Sequence, residues 1–272
     1  MSASEYRITW QQGIYAYDGF AKLETPIVCG TLYAVCPRNS FDFYSSSSPI
    51  MNPSIKPVPR TKNQARASYN KMSRWYDTIS GNTEKKYRDL GLNLLAAQPG
   101  ERVLEIGFGT GHALVTLAQA VGPQGHVTGI DLSDGMVEIT RQRLAQANLT
   151  ERVTLLRGDA ASHPFEPGTF DAVFMSFTLE LFDTPEIPHV LRACARALRS
   201  GGRLGVVALV KDTQPGWPVR LYEWFHDRLP TMVDCRPIFG RAALQEAGFT
   251  LEKVASQVMW GLPVEILLGS QP

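Results

Sequence analysis

Cysteine is scarce in this chain of 272 residues: Cys29, Cys36, Cys194 and Cys235 are the only four. None forms a C-x-x-C pair and no histidine stands at zinc-ligand spacing from them, so no metal site and no disulfide framework is expected; they read as isolated thiols of a reducing compartment. Long hydrophobic runs are also missing. The longest apolar stretch, 26–36, is interrupted by Gly30 and falls short of the roughly 20 residues that span a bilayer. The N-terminus carries Glu5 and little positive charge, which does not fit a secretion signal. Charge of one sign is lacking as well: the formal net charge is +1, so no overall field selects for nucleic acid or an anionic membrane. These absences lead to the expectation of a cytoplasmic protein with no nucleic-acid partner and no stable membrane insertion. They leave the oligomeric state open.

What is present is an ordinary globular composition, 44% hydrophobic and 19% charged, divided unevenly along the chain. Residues 1–60 form an irregular N-terminal extension ending in a linker, since 45–60 holds five Ser and four Pro. Met51 lies in that linker and is a candidate alternative start of translation, which the intact mass of the native protein would test. Residues 61–272 are expected to form the main domain, opening with helices over 62–80 and 83–98. Beyond them strands and helices alternate. Strands are expected at 102–106, 126–130, 153–157, 170–176 and 202–210, and helices at 111–121, 133–148 and 185–198. This is an α/β pattern, a Rossmann-like doubly wound sheet that is mostly parallel. Two helices, 216–229 and 239–247, precede strands at 250–258 and 264–268, read as a C-terminal antiparallel hairpin. In the helix at 133–148, Ser133 is the expected N-cap, with Val137, Ile139 and Leu144 available for burial.

The segment richest in chemistry runs from Val103 to Gly111. A strand enters a loop with glycine at every second position, Gly107, Gly109 and Gly111, and a helix follows at once. Glycine admits backbone dihedrals and close ligand approach that a side chain forbids, and the helix start presents free N–H groups. A dinucleotide loop is spaced G-x-G-x-x-G. Here the spacing is G-x-G-x-G, and Glu105 stands two residues before the first glycine. That acid opposes a pyrophosphate and suits a ligand bearing an ammonium group.

Asp131 ends the next strand, where a carboxylate can accept hydrogen bonds from both ribose hydroxyls. Capping the helix that begins near Ser133 is its alternative role. Asp159, in Gly158-Asp159-Ala160, can accept from an exocyclic adenine amine or simply close a turn. Ser176 and Phe177 end the fourth strand. Glu105, Asp131, Asp159 and Ser176 thus end successive strands on the edge where open α/β sheets bind ligands.

These residues lie in motifs that resemble the class I S-adenosylmethionine methyltransferases, closest to the group of ubiquinone and menaquinone biosynthesis methyltransferases. The likeness rests on SRWYD at 73–77, VLEIGFGTG at 103–111, GIDLSDGMV at 129–137, GDAASHPFEPGTFDAVFMSFTLE at 158–180 and ALRSGGRL at 197–204. It implies S-adenosylmethionine as cofactor and methyl transfer to a small-molecule acceptor, aromatic or quinol-like. A cofactor-binding protein without transferase activity is the alternative, ahead of a nicotinamide oxidoreductase. The resemblance implies that Glu105 approaches the methionine amine while Gly107, Gly109, Thr110 and Gly111 line methionine and ribose. Asp131 would hold the ribose, Leu132 and Met136 would flank adenine, and Asp159 and Ala160 would meet its edge. Ser176 and Phe177 would face the sulfonium, and Tyr76 resembles a tyrosine that closes the pocket.

Two departures concern the acceptor. Glu180-Leu181 stands where quinone-specific members carry Arg-Asn, and Gly-Phe-Gly where they often read Ala-Gly-Gly. Glu180, His163, Tyr222 and His226 are the candidates for a general base, and no spacing selects among them. Trp217, Tyr222, Trp224, Phe225 and Met232, with Met259 and Trp260, are candidates to cover an apolar acceptor or to pack on the core.

Overall fold

A computed structural model describes residues 61, 64, 67, 82–211, 217–228 and 235–271. The extension at 1–60, nearly all of the expected helix at 62–80 and with it Tyr76 lie outside the described residues.

Five strands run parallel: β1 (Arg102–Ile106), β2 (His126–Asp131), β3 (Val153–Arg157), β4 (Phe170–Ser176) and β5 (Leu198–Leu209). Two antiparallel strands, β6 (Thr250–Met259) and β7 (Leu262–Ser270), complete the sheet in the order β3-β2-β1-β4-β5-β7-β6. The expected fold class, Rossmann-like and mostly parallel with a C-terminal antiparallel hairpin, is the one observed. Trp260 and Gly261, both at positive φ, make the two-residue hairpin turn. The helices are α1 (Asn82–Leu95), α2 (His112–Val121), α3 (Asp134–Gln146), α4 (Ile187–Ala197), α5 (Trp217–Arg228) and α6 (Gly240–Glu246).

Successive strand side chains point to opposite faces, and two apolar clusters sort accordingly. Val103, Ala172, Phe174 and Val207 belong to one, with Leu95 of α1, Leu114 and Leu117 of α2 and Val137 of α3. Leu104, Ile106, Val173, Met175 and Val206 belong to the other, with Val190 and Leu191 of α4 and Leu244 of α6. The alternation puts Glu105 on the face that α1 and α2 cover.

Element bounds differ from the sequence expectation by a few residues. The largest difference is β5, which begins at Leu198 rather than Gly202. Leu198 bonds back to Cys194 as the cap of α4, yet its extended backbone already pairs with Phe170. In α3 Ser133 is the N-cap as expected, its Oγ accepting from the Met136 N–H at 3.2 Å. Val137 and Leu144 are buried, but Ile139 is only half-buried; Met136 and Thr140 complete the inner stripe instead.

Candidate functional site

The sheet reverses its winding between β1 and β4, which opens a crevice beyond the carboxyl ends of those strands. Ile106 pairs with Ile130 on one side and Met175 on the other, so Gly107, Asp131 and Ser176 leave the sheet at one level. Gly107 N–H bonds to Ile130 O (2.8 Å), Gly158 N–H to Asp131 O (2.9 Å) and Phe177 N–H to Val207 O (2.8 Å), so each loop starts from a fixed base.

All three loop glycines adopt positive φ: +71° at Gly107, +53° at Gly109 and +81° at Gly111. Their surroundings differ. A Cβ on Gly107 would lie 2.3 Å from Thr178 Cγ2, and one on Gly111 2.5 Å from Thr140 Cγ2. A Cβ on Gly109 would have no atom within 4 Å. The outer glycines make room for the protein's own threonines; the middle one borders open space. Thr140 Oγ1 donates to Gly109 O (2.9 Å) and the Arg143 guanidinium to Thr110 O, bracing the loop from α3. Gly111 begins α2 with no side-chain cap.

Asp131 ties this loop to the start of α3. Its Oδ2 accepts from Gly109 N–H and its Oδ1 from Ser133 N–H, both at 2.9 Å. The helix-start role considered from sequence is therefore real, and it coexists with a half-exposed position at the crevice. Burial raises the Asp131 pKa to about 6 against the opposing pull of those backbone donors. Glu105 lies deeper, 2% exposed, and its Oε2 has no hydrogen-bond partner among the described residues. Burial lifts its pKa well above the ordinary value; Arg88 on α1 opposes the shift and the Asp131 charge adds to it. An unpartnered buried carboxylate oxygen costs free energy until a donor reaches it.

Asp159 Oδ1 accepts from Ala161 N–H (3.0 Å), closing its turn, with Ala160 buried beside it. Leu132 is half-exposed and Met136 fully packed. Ser176 is half-buried. Phe177 is buried at φ +51°, a conformation that costs a non-glycine residue about 1–2 kcal/mol. Its ring meets Tyr87 edge-on at 6.4 Å, and the Tyr87 hydroxyl donates to Val258 O (2.7 Å).

Where they are described, the candidate bases have the following partners. Glu180 is fully buried and accepts from Leu209 N–H (3.2 Å). Tyr222 donates to Cys235 O (2.8 Å). The His163 ring packs against Phe165 at 4.6 Å. The side chain of His226 and those of Phe225 and Met232 lie outside the described residues. On α5 the aromatics divide: Tyr222 packs inward, whereas Trp217 and Trp224 face outward, as does Trp260 at the hairpin turn. Met259 is buried in the cluster with Tyr87 and Phe177.

Sequence reasoning passed over Arg88, Thr140, Arg143 and Thr178, which surround the glycine loop from α1, α3 and the end of β4. Tyr87 was also unremarked. A short polar residue beneath a glycine leaves no pattern along the chain.

Residues 103–202 match the methyltransferase domain family. Over 163 residues the chain is 32% identical to the demethylmenaquinone methyltransferase of Listeria monocytogenes serotype 4a (strain HCC23), covering 60% of this chain and 66% of that enzyme, just under two thirds of its length. The crystal structure of the cyclase SpnF superposes with a TM-score of 0.64 at 19% identity, over 80% of this chain and 98% of that one. A methyltransferase from Aquifex aeolicus, dependent on S-adenosylmethionine, superposes with 0.52 at 20% identity, over 68% and 89%. At such identities the superpositions establish the fold alone.

Proposed function

We propose that this chain, which carries the methyltransferase domain of the class I S-adenosylmethionine-dependent fold, transfers the methyl group of S-adenosylmethionine to a small-molecule acceptor in the cytoplasm. The observation that carries this reading is Glu105: a buried carboxylate with one oxygen unpartnered among the described residues, set behind a glycine loop whose middle residue borders open space. A pyrophosphate would be repelled there, and an amino-acid ammonium would satisfy it. No helix among the described residues is long and apolar enough to cross a membrane.

The residues fit the cofactor as follows. Glu105 accepts from the ammonium, while Gly107, Gly109, Thr110 and Gly111 let the methionine and ribose lie against the main chain. Asp131 keeps lone-pair capacity beyond its backbone bonds for the ribose hydroxyls. Leu132 and Met136 flank the adenine, and Asp159 and Ala160 meet its edge; the likeness of SRWYD at 73–77 assigns Tyr76, outside the described residues, to the same cofactor. Ser176 and Phe177, at the switch between β1 and β4, face the reacting centre.

Bound there, the cofactor supplies an electrophilic methyl on a sulfonium. The chain's own work is to hold the acceptor in line and exclude water, worth several kcal/mol. Phe177, Tyr87, Met259 and Leu262 belong to one apolar cluster at this end of the sheet, which favours a flat apolar acceptor. The relative from Listeria is named for demethylmenaquinone, and a phenol or quinol is the acceptor class we infer. A phenolic hydroxyl ionises at about pH 10, so the acceptor gives up its proton to a base in the course of the transfer.

Calorimetric titration with S-adenosylmethionine, with NAD as control, tests the reading. Micromolar binding of the sulfonium compound alone supports it; binding of NAD alone overturns it.

A further inference from the structure

Glu105 sits on its face of the sheet among groups that offer a carboxylate little. Its pairing neighbours are Gly129 on β2 and Phe174 on β4, which bring no donor side chain to that face. The space that a side chain at Gly129 would take is filled by Phe108 and Leu114. Val103, two residues back along β1, and Phe174 are both fully buried. The carboxyl group is thus walled by apolar side chains along the sheet, and its Oε2 has no partner among the described residues.

The ionisable groups of the surrounding elements do not make up for this. Arg88 of α1 and Asp131 at the end of β2 are both coupled to Glu105, and they act in opposite directions. Elsewhere on α1, Lys85 and Asp89 pair with each other at 2.6 Å on the exposed side, Lys86 lies over the Tyr87 ring, and the Tyr87 hydroxyl goes to Val258 O. On β4 the residues that share the face are Ala172, Phe174 and Ser176, none of them charged. His112 begins α2, and Arg143 of α3 donates to Thr110 O at the glycine loop. The two carboxylates are therefore unlike. Asp131 accepts from Gly109 and Ser133 N–H, whereas Glu105 has an apolar wall and a second carboxylate nearby. Such surroundings favour the neutral form of a carboxyl group.

We propose that S-adenosylmethionine enters this site in exchange for a proton: the empty protein holds Glu105 as the neutral acid, and the arriving ammonium displaces its hydrogen to solvent. The carboxyl O–H bond breaks and the proton passes to the buffer. The ammonium keeps its three hydrogens and donates one to the carboxylate. A buried neutral acid is thereby replaced by a buried ion pair, and no uncompensated charge is left behind. Resting on the cofactor reading of the site, the exchange adds a direction of regulation to it. Affinity rises by up to about tenfold per pH unit while the empty site is protonated, until the free cofactor's own amine begins to ionise at about pH 7.7–8.0. Acidification empties the site.

Calorimetric titration of the full chain at about pH 6.5, where the free amine is still protonated, tests it. Run in two buffers of different ionisation enthalpy, it counts the protons released per ligand bound. The ligands are S-adenosylmethionine and 5′-methylthioadenosine, which has the adenine and ribose and lacks the amino acid. Asp131, with its pKa at about 6, releases part of a proton to either ligand through the ribose. Glu105 responds to the ammonium alone, so S-adenosylmethionine should release more, by up to about one proton. In Glu105→Gln that excess should vanish, with the affinity for 5′-methylthioadenosine unchanged. Equal release by the two ligands in the wild type overturns the exchange and leaves the cofactor reading intact, as does an excess that survives in Glu105→Gln. Failure of S-adenosylmethionine to bind at all overturns both.

Discussion

Glu105→Gln should make the protein more stable and less able to bind its cofactor. The wild-type carboxylate is 2% exposed, has no partner for Oε2 among the described residues and has its pKa raised chiefly by burial. Glutamine keeps the shape and removes the charge. The sign follows from the direction of the shift. A raised folded-state pKa means that the protonated form is favoured by folding. That benefit is complete below the unfolded pKa, about 4.3, and is lost as pH climbs through the raised value. The variant has no such loss, so its melting temperature should pull ahead of wild type as pH rises from 5 to 9, and the two should converge at acid pH. Each kcal/mol recovered appears as roughly 2–4 °C in a domain of this size. Binding moves the other way. A hydrogen bond to a charged group contributes about 1.5–3 kcal/mol, so losing the carboxylate weakens S-adenosylmethionine roughly ten- to hundredfold. Differential scanning fluorimetry across pH, paired with calorimetry at one pH, reads both. A variant that melts lower at every pH while binding the cofactor normally would refute the reasoning, because Glu105 would then be a structural acid with a hidden partner.

Asp131→Ala should weaken cofactor binding by tens of fold, from lost ribose bonds at about 1.5–3 kcal/mol each and a loosened Gly109; unchanged calorimetric affinity in a folded variant would take Asp131 out of the site. Gly107→Ala and Gly109→Ala separate strain from crowding. Positive φ alone costs about 1–2 kcal/mol at either position, and only at Gly107 does the 2.3 Å approach to Thr178 add an overpacking cost of about 1–3 kcal/mol. Equal losses in urea unfolding would contradict that geometry. Arg203→Met should lower stability by about 2–4 kcal/mol, since its guanidinium bonds Leu95 O, Ala96 O and both Glu101 oxygens, joining the end of α1 to β5. A melting temperature within a degree of wild type would show that the network contributes little.

The binding edge was legible in the sequence because its signals are local. A run such as Val103–Ile106 followed by glycines at every second position specifies a strand entering a tight loop. Period-two burial and parallel pairing then carry Asp131 and Ser176 to the same level without further information. The terminal hairpin and the Ser133 cap were legible for the same reason, each depending on a few neighbouring residues; the turn itself is tighter than expected, because Met259, Leu262 and Pro263 belong to the strands.

Tertiary structure decided what depends on neighbours distant in the chain. Glu105 is an acid before a glycine loop in either description; only packing leaves its Oε2 unpartnered and brings Arg88 close enough to oppose the shift. Glu180 was one of four candidate bases that no spacing separated; only the fold buries it and sets it against Leu209 N–H. Nothing along the chain separates Gly107 from Gly109; Thr178 lies beneath one and open space beside the other. Asp131 had two candidate roles, and the fold gives it the backbone bonds of a helix start while leaving it at the crevice. Backbone preference and side-chain period are properties of short segments and can be read from them. Burial, charge coupling and unfilled space are sums over whatever the folded chain brings together.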